Sequence, residues 1–461
     1  MRRIVIVSNR VAPVNEAASK GATGGLAVAI LETLRESNGL WFGWSGNVHE
    51  APVDTPKHSA PTQANPFDTV TVDLTPAEHS GYYNGYANRI LWPILHYRSD
   101  LMEYHSEHFR TYQRVNANFV SQLVPLLRED DLIWLHDYHL MMAPRDLRQA
   151  GVKNRIGFFL HTPFPSADVF ATLPNHRELI ASLCHCDLIG FQSPTDLRSF
   201  EDYITHEAGG QVHANEEFEA FGRQFRAQVF PISIDPDSFA GAARESSRSN
   251  IANRLRESLD GRALMVGVDR LDYSKGLPER FLSFEHLLDR YPENRRRVTF
   301  LQIAPYSRSE VPEYKLIRSR LEGLSGRING RFAEVDWTPL RYINRGLARK
   351  TLAGVLRHSR VAVVTPLRDG MNLVAKEYIA AQDPEDPGVL VLSRFAGAAH
   401  ELKEALIVNP LDYENTGEAL QRALSMSLEE RKERWSAMME TIRQQDITTW
   451  RKSFIAALEA G

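Results

Sequence analysis

The chain has 461 residues, of which 43% are hydrophobic and 24% are charged, and its formal net charge is −4. This length exceeds what one hydrophobic core usually holds, so we expect two domains. The small negative charge argues against nucleic acid or a membrane surface as a partner, and no stretch is apolar over a membrane-spanning length. Two cysteines, Cys184 and Cys186, indicate buried structural thiols rather than a disulfide framework, and we expect a reducing, cytoplasmic setting.

Short β-branched segments alternate with longer amphipathic segments, which predicts an α/β fold with parallel sheets. The predicted strands cover residues 4–8, 132–135, 155–160, 188–191, 228–230, 263–268, 298–303, 361–365 and 388–392. The predicted helices cover residues 26–36, 104–127, 194–208, 247–258, 279–291, 311–322, 345–359, 372–381, 416–425 and 446–458. Two Rossmann-like, doubly wound domains facing each other across a deep cleft would place that cleft at the carboxyl ends of their strands.

A domain break is expected between Pro231 and Pro236, because a polar helix and then a fresh strand at Ala263 follow this segment. Near the end of the chain, Trp450 and Phe454 lie at helical spacing, which indicates a packing helix. The predicted boundaries are 1–234 for the first domain, 235–445 for the second, and 446–461 for a helix that crosses back to the first.

The stretch 361–377 carries the strongest functional signal in the chain. A β-branched run predicts a buried strand, and Gly370 lies in the loop between that strand and a helix capped by Asn372. Free backbone N–H groups and the helix dipole at such a junction favour an anionic ligand. Glu377 would then be placed to accept hydrogen bonds from ribose hydroxyls. The alternative is an ordinary strand-loop-helix unit with Asp369 at its surface.

A second motif lies near the amino terminus, where Arg10 follows a predicted strand and Gly24 and Gly25 open a predicted helix. The backbone N–H groups of the two glycines can face a phosphate or a sugar hydroxyl. A guanidinium at the carboxyl end of a strand suits a phosphate dianion. A surface arginine in a loop would show the same pattern.

Two further motifs follow strands in the first half of the chain. In the first, His136, Asp137 and His139 resemble metal ligands, but no fourth ligand follows at zinc-like spacing. An aspartate that binds sugar hydroxyls is therefore favoured. In the second, prolines on the carboxyl side of His161 fix its loop and hold the imidazole at the strand end. A histidine that only satisfies local hydrogen bonds is the alternative there.

Arg270 and Lys275 lie in one loop directly after a predicted strand of the second domain. Two fixed cations in such a loop can hold a diphosphate and stabilise a departing nucleoside diphosphate without a metal ion. A pair of solvated charges would have the same spacing. Aromatic residues are dense near the amino terminus, where most belong to a core and one or two can stack on a sugar ring.

Together these motifs resemble the trehalose-6-phosphate synthase family, whose members are retaining glycosyltransferases of the GT-B fold. The resemblance runs in family order over nearly the whole chain, and the joint match is specific although each motif alone is weak. The matching segments are 8–10, 24–26, 40–46, 91–93, 134–139, 161–165, 270–278, 302–308 and 365–377. The stretch 212–226 matches no part of the family pattern.

The resemblance implies transfer of glucose from a nucleotide-glucose, typically UDP-glucose, to glucose 6-phosphate, giving α,α-trehalose 6-phosphate and UDP. It implies a same-face reaction in which the leaving phosphate oxygen takes the proton of the acceptor. No cofactor is implied, since the nucleotide sugar is a co-substrate, and no metal ion is implied. The fold it implies is GT-B, with an acceptor-binding first domain and a nucleotide-sugar-binding second domain.

The resemblance also implies roles for individual residues. Those implied to bind the acceptor are Arg10, Tyr83 and Arg308 at its phosphate and Trp92 and Asp137 at its sugar, with Trp41 nearby. Those implied to bind the donor are Gly24, Gly25, Arg270, Lys275, Leu347 and Glu377, with the backbone of Gly370, Met371, Asn372, Leu373, Val374, Ala375 and Lys376. The implied catalytic group is His161, Asp369, Arg270 and Lys275, and Trp92 and Thr162 are implied to select the acceptor anomer.

Two other functions stay open at the level of sequence. A pseudo-glycosyltransferase that couples a nucleotide-cyclitol to a cyclitol phosphate shares this scaffold, and a non-catalytic sugar-phosphate sensor is the second alternative. The donor nucleotide preference is not predicted, because uracil and guanine contacts are made largely by backbone. A homo-oligomer, either dimer or tetramer, and a trehalose-6-phosphate phosphatase as functional partner are compatible with the resemblance.

Overall fold

The computed structural model describes residues 2–11, 25–50, 56–60, 66–306 and 312–460 of the chain. These residues form two compact units. The first comprises most of the chain up to Pro231 together with the end from Trp450, and the second runs from Ile232 to Thr449. The boundaries predicted from sequence, after residues 234 and 445, stay predictions. No helix in the described ranges is both long enough and apolar enough to span a membrane.

In the described part of the first unit, ten strands form one sheet in the order β3-β4-β2-β1-β5-β6-β7-β10-β9-β8. They are β1 (Ile4–Arg10), β2 (Leu40–Val48), β3 (Lys57–Ser59), β4 (Asp68–Leu74), β5 (Leu132–His136), β6 (Arg155–Phe159), β7 (Leu188–Phe191), β8 (Gln211–Val212), β9 (Glu217–Ala220) and β10 (Arg223–Val229). β1 pairs in parallel with both β2 and β5. This position explains its continuous β-branched run, since a central parallel strand is covered on both faces.

The strand register places the predicted functional residues of this unit at one edge of the sheet. Ser8 of β1 pairs with His136 of β5, and His136 pairs with Phe159 of β6. Because these strands are parallel, their carboxyl ends lie side by side. Asp137 follows β5 and His161 follows β6 at that edge.

Six strands of the second unit, counted over the residues described, form a wholly parallel sheet in the order β13-β12-β11-β14-β15-β16. They are β11 (Ala263–Val268), β12 (Val298–Ile303), β13 (Leu340–Ile343), β14 (Val361–Val364), β15 (Val389–Ser393) and β16 (Leu406–Val408). The strand order reverses between β11 and β14, and the loops after these two strands carry Lys275 and Asp369. Open α/β sheets bind their ligands at such a switch point.

Helices connect the parallel strands of both units, as crossover connections require. In the first unit the longer helices span Gly25–Ser37, Ser106–Leu123, Ala143–Gln149, His176–Leu183 and Pro194–His206, and a π-helical stretch spans His79–Leu91. In the second unit they span Pro236–Ser246, Asn250–Leu259, Leu277–Arg290, Pro312–Phe332, Arg349–Arg357, Leu373–Ala381, Tyr413–Ser425 and Leu428–Gln444. The last helix spans Ile447–Ala460.

Some strands are not predicted by the sequence pattern. β2 contains Gly43 and Gly46 among aromatic residues, so it shows no apolar period of two. β13 and β16 have only four and three residues, too few to establish a period. The stretch 212–226, which the family pattern leaves unassigned, contributes β9 and the first part of β10, which pair antiparallel, whereas the end of β10 overlaps the strand predicted over 228–230.

Helix ends also differ from the sequence prediction. The helix predicted over 345–359 begins only at Arg349, because Gly346 weakens helix formation before it. The helix predicted over 311–322 continues to Phe332. The helix Leu428–Gln444 is not predicted, since its surface is mostly polar.

The last helix packs on the sheet of the first unit through Trp450 and Phe454. Phe454 is fully buried, and its ring stacks on Trp134 with 4.5 Å between centroids and 9° between planes. The Trp450 indole N–H donates to the Phe230 carbonyl oxygen at 3.1 Å. A Cβ at Gly157 would lie 2.8 Å from the Phe454 ring, so the ring rests directly on the backbone of β6. The packing role predicted for Trp450 and Phe454 is confirmed.

We expect Phe454→Ala to lower the free energy of unfolding of the first unit by about 3–5 kcal/mol, because a large cavity would replace the buried ring. Urea unfolding followed by tryptophan fluorescence measures the change. Lys452→Ala, at an exposed position of the same helix, is the matched control, and its change should stay within about 0.5 kcal/mol. Equal stability of the two variants would contradict the packing role of the ring.

Candidate functional site

Arg10 ends β1 and lies against the glycine backbone of β2. Gly46 has a φ of +91°, and a Cβ there would lie 2.7 Å from Arg10 Nε. Any side chain at position 46 would therefore displace the guanidinium. The Arg10 side chain is exposed at the carboxyl edge of the sheet, and its phosphate-binding role stays a prediction.

Asp137 follows β5 with an uncommon backbone conformation. Its φ of 76° and ψ of 167° are unfavourable for a residue with a Cβ. The Asp137 Oδ1 accepts a hydrogen bond from the backbone N–H of His161 at 3.1 Å. The loops after β5 and β6 are thus joined to each other by this carboxylate.

His161 faces a second imidazole. His136 Nδ1 and His161 Nε2 are 3.0 Å apart, so one nitrogen carries the proton and the other accepts the hydrogen bond. Burial lowers the pKa of His161 from 6.5 to about 3. Burial, and after it the charge of His161, hold the pKa of His136 well below its usual range. Both rings are therefore neutral near pH 7.

Tyr83 and Trp92 lie on the π-helical stretch and at the start of the short helix that follows it. The Tyr83 ring stacks on His139 with 5.9 Å between centroids and 13° between planes. Trp92 is 6% exposed, and its ring lies 5.8 Å from that of Tyr138. Both aromatic residues thus rest on the segment after β5.

Two residues predicted for the acceptor are almost fully buried. Trp41 is 1% exposed, and its indole N–H donates to Ser8 Oγ at 2.9 Å. Its ring belongs to the core of the first unit, and its place near the acceptor sugar stays a prediction. Thr162 is 5% exposed, and its hydroxyl oxygen has no hydrogen-bond partner among the described residues. Buried hydroxyls are usually satisfied, so this one is suited to a ligand.

An ion pair between Lys275 and Asp369 occupies the carboxyl edge of the second sheet. Lys275 Nζ lies 2.6 Å from Asp369 Oδ2, and the two side chains are only 11% and 14% exposed. Asn372 Nδ2 donates to the same Asp369 oxygen at 3.0 Å. Asn372 does precede the helix, with a φ of 72°, but its side chain makes no capping bond. The predicted side-chain cap is therefore wrong, because the amide is directed to Asp369.

Backbone contacts fix the loop after β14 to the loop after β11. The N–H groups of Leu367 and Arg368 donate to the Ser274 carbonyl oxygen at 2.7 and 3.3 Å. Gly276 has a φ of +62°, and a Cβ there would lie 2.2 Å from the Thr365 carbonyl oxygen. Only glycine permits this approach, so Gly276 sets the spacing of the two loops.

Beneath these loops lies the buried guanidinium of Arg280, a residue that is not among those predicted from sequence. Arg280 is 1% exposed. It donates to Thr365 Oγ1 at 2.9 Å and to Gln302 Oε1 at 3.0 Å, and it lies 2.8 Å from Asp269 Oδ2. It also donates to the Lys275 carbonyl oxygen at 3.3 Å. Arg280 therefore joins the ends of β11, β12 and β14 to the loop that carries Lys275.

The sequence does contain a signal for Arg280. It falls on the same helical face as Leu277, Phe281 and Phe284, all of which are buried. A charged residue within such an apolar pattern needs a buried partner. That partner is Asp269, whose carboxyl pKa is raised by burial and lowered in part by Arg280.

The helix after β14 carries further residues predicted for the donor. Glu377 is half-buried, and burial raises the pKa of its carboxyl to about 7. Near neutral pH such a group can both accept and donate hydrogen bonds, which suits ribose hydroxyls. Lys376 is directed into the unit, where its Nζ pairs with Glu401 at 2.8 Å and donates to the Ile232 carbonyl oxygen at 2.9 Å.

The remaining predicted residues lie on loops and at helix starts. Arg270 is exposed after β11, and Leu347 is half-buried in the loop before the helix Arg349–Arg357. Gly370, Met371, Leu373, Val374 and Ala375 lie in the loop and first helical turn after β14. Gly25 begins the helix Gly25–Ser37, whereas Gly24 and Arg308 lie outside the described residues.

Each sheet thus gathers its predicted residues at its carboxyl edge. The first sheet brings together Arg10, Asp137 and His161, and the second brings together Lys275, Asp369 and the residues that follow it. Over the ranges that the structure describes, no three His, Cys, Asp or Glu side chains lie close enough to hold a metal ion. Cys184 and Cys186 are free and buried, as predicted.

The chain is similar to known glycosyltransferases over its whole length. The model of "Glycosyltransferase family 20" matches residues 2–460. A trehalose-6-phosphate synthase from Sinorhizobium fredii is 49% identical to the chain, over 100% of this chain and 99% of that protein. The sequence resemblance is thereby confirmed.

Two solved structures share the fold. An α,α-trehalose-phosphate synthase (UDP-forming) from Burkholderia xenovorans, in complex with glucose-6-phosphate, has a TM-score of 0.95 and 51% identity, covering 99% of this chain and 100% of that chain. A structure from E. coli, bound with UDP-2-fluoro glucose, has a TM-score of 0.93 and 45% identity, covering 99% and 98%. These matches confirm the predicted fold class, with two parallel-sheet α/β domains of the GT-B type.

We expect the His161 ring to stay neutral from about pH 5 to 8, because its pKa is near 3. In a proton–carbon NMR titration, its ring resonances, assigned with a His161→Gln variant, should not shift across this range. Since the unfolded chain binds a proton near pH 6.5 and the folded chain does not, His161 also makes stability fall as the pH drops from 6.5 towards 3. A ring titration midpoint between pH 6 and 7 would contradict its burial.

Proposed function

The chain belongs to glycosyltransferase family 20 and has trehalose-6-phosphate synthase activity, and on this premise we propose which residues carry the reaction. It transfers glucose with retention of configuration from UDP-glucose, or another nucleotide-glucose, to glucose 6-phosphate. The products are α,α-trehalose 6-phosphate and the nucleoside diphosphate. The bound ligands of two relatives, glucose-6-phosphate and UDP-2-fluoro glucose, support this pair of substrates.

We assign the acceptor to the carboxyl edge of the first sheet. The exposed guanidinium of Arg10 can form two parallel hydrogen bonds with the 6-phosphate. The Trp92 ring suits the apolar face of a hexose. Asp137 holds the His161 amide with one oxygen, and a carboxylate accepts further hydrogen bonds from sugar hydroxyls. Tyr83 and Arg308 are proposed to bind the same phosphate, and Thr162 and Trp92 to select the anomer of the acceptor. His161 is proposed to bind a hydroxyl of the donor glucose.

We assign the donor diphosphate and sugar to the loops of the second unit. The Lys275 ammonium has three N–H donors, so it can hold Asp369 and a diphosphate oxygen at the same time. Lys275 would then align Asp369 for the glucose hydroxyls while it neutralises the phosphate. Arg270 supplies the second cation from the same loop. Leu347 is proposed to contact the nucleotide base, and Glu377 the ribose. The backbone of residues 370–376 is proposed to contact the phosphate and the sugar of the donor.

The proposed mechanism is attack on the same face of the sugar ring from which UDP departs. The acceptor hydroxyl gives its proton to the leaving phosphate oxygen, so no side chain has to act as a base. Negative charge grows on the diphosphate in the transition state, and the two fixed cations stabilise it there. Neutral His161 adds no charge, which leaves it a hydrogen-bonding role at the sugar.

The observation that carries this proposal is the Lys275–Asp369 pair. It joins the loops after β11 and β14 at the switch point of the parallel sheet. A cation and a carboxylate already in contact there match a ligand that has both a diphosphate and sugar hydroxyls.

The proposal extends to the setting of the enzyme. We propose a cytoplasmic location, since both thiols are free and buried. A phosphatase that acts on trehalose 6-phosphate would consume the product. A homo-oligomer, dimer or tetramer, is proposed from the resemblance alone.

Purified protein with glucose 6-phosphate and UDP-, ADP- or GDP-glucose in parallel should release nucleoside diphosphate from at least one donor. Proton and carbon NMR of the products should show an α,α-1,1-linked disaccharide phosphate, because attack occurs on the face that UDP leaves. Reactions without acceptor are the control for donor hydrolysis. Folded protein that binds nucleotide but yields no product with any donor would contradict the assignment.

We expect full activity in excess EDTA, because Arg270 and Lys275 supply the positive charge that the departing diphosphate requires. Initial rates are compared before and after dialysis against the chelator. Loss of activity that magnesium restores would show that these two cations do not suffice.

A further inference from the structure

The amino-terminal edge of the second sheet carries a groove that the proposed reaction does not use. The groove has a volume of about 580 Å³, within the range of small-molecule sites. It lies where β11, β14 and β15 begin, at the opposite ends of these strands from the loops that carry Lys275 and Asp369. A ligand bound there would not meet the reacting groups.

Arginines reach the groove from separate segments of the chain. Arg248 follows the helix Pro236–Ser246, Arg262 precedes β11, and Arg357 and Arg360 lie just before β14. Guanidinium groups from several segments converge on one concavity, rather than lying along a single solvated helix face. Such convergence is typical of a binding site for an anion.

The carboxylates that line the groove are already paired. Asp383 lies 2.9 Å from Arg357. Asp386 is shared between Arg360, at 3.0 Å, and Arg431, at 2.6 Å. Asp386 therefore pairs with two guanidinium groups, and the groove lining keeps an excess of positive charge.

Arg248 and Arg262 add to that excess. Arg262 reaches Asp336 at 3.4 Å and Asp260 at 3.7 Å, and neither carboxylate lines the groove. The Arg248 side chain is exposed, and within the described ranges no ion pair joins it to a carboxylate. A bound anion would lower the repulsion between these cations, which favours its binding.

We propose that this groove binds a phosphorylated small molecule, with its phosphate monoester held by Arg248 and Arg360. Arg248 can form paired, charge-assisted hydrogen bonds with the phosphate oxygens. Both terminal nitrogens of Arg360 already donate to Asp386, at 3.0 and 3.1 Å, so Arg360 would reach the phosphate with its remaining N–H groups. The rest of the volume accommodates a sugar or a nucleoside. Because the groove lies at the far strand ends from Asp369, the ligand is an effector and not a substrate.

Calorimetric titration of the full chain tests the proposal, with UDP present to occupy the nucleotide site. The probes are inorganic phosphate, fructose 6-phosphate and adenosine 5′-monophosphate, which separate free phosphate, a sugar phosphate and a nucleotide as the source of the anion. We expect at least one probe to bind with a dissociation constant below about 1 mM. Arg248→Ala and Arg360→Ala should each weaken that binding by about tenfold or more.

Two control variants locate the binding. Arg244→Ala removes the same charge one turn earlier on the helix that precedes Arg248, outside the groove lining, and should leave binding unchanged. Arg10→Ala removes the proposed acceptor cation and should also leave it unchanged. No binding of any probe, binding that survives Arg248→Ala, or binding lost only in Arg10→Ala would overturn the proposal. Among the described residues Arg248 makes no ion pair, so its variant should keep the parent melting temperature.

Discussion

The substrate loops of the second unit depend on one buried cation. Arg280 contacts the ends of three neighbouring strands and the backbone of Lys275, and Asp269 supplies the carboxylate that makes its burial tolerable. Gly267 leaves the space that Arg280 and Gln302 occupy, because a Cβ there would lie 2.3 Å from Gln302 Oε1 and 2.7 Å from Arg280 Nη1. The strand ends and the cationic loop are therefore fixed as a group, and Gly276 and Asn372 complete the approach of Lys275 to Asp369.

In the first unit, the loops at the carboxyl edge of the sheet are fixed in a different way. A neutral pair of imidazoles lies there, and the carboxylate of Asp137 holds the backbone of His161. The backbone strain at Asp137 is compensated by this link between two loops. The imidazole pair thus offers uncharged hydrogen-bonding groups, whereas the Lys275–Asp369 pair of the second unit offers fixed charges. That division suits a reaction in which charge develops on a diphosphate while sugar hydroxyls are only positioned.

The strand ends could be predicted because β-branched runs followed by turn residues mark central parallel strands, as in β1 and β14. Side-chain partners could not be predicted in the same way. The period of a helix shows that Arg280 is buried but not which strand ends it joins, and the sequence around Asn372 is equally compatible with a cap or a bond to Asp369. A motif match likewise does not show which side of a sheet the Trp41 ring faces, so its place near the acceptor stays a prediction.

We propose that Lys275 and Asp369 act as one unit in transition-state stabilisation. A double-mutant cycle on kcat/KM for the donor, with Lys275→Ala, Asp369→Ala and the double variant, tests it most directly. We expect the double variant to lose much less activity than the product of the two single losses, because each single substitution already disables the pair. Losses that multiply fully, as for independent residues, would contradict it.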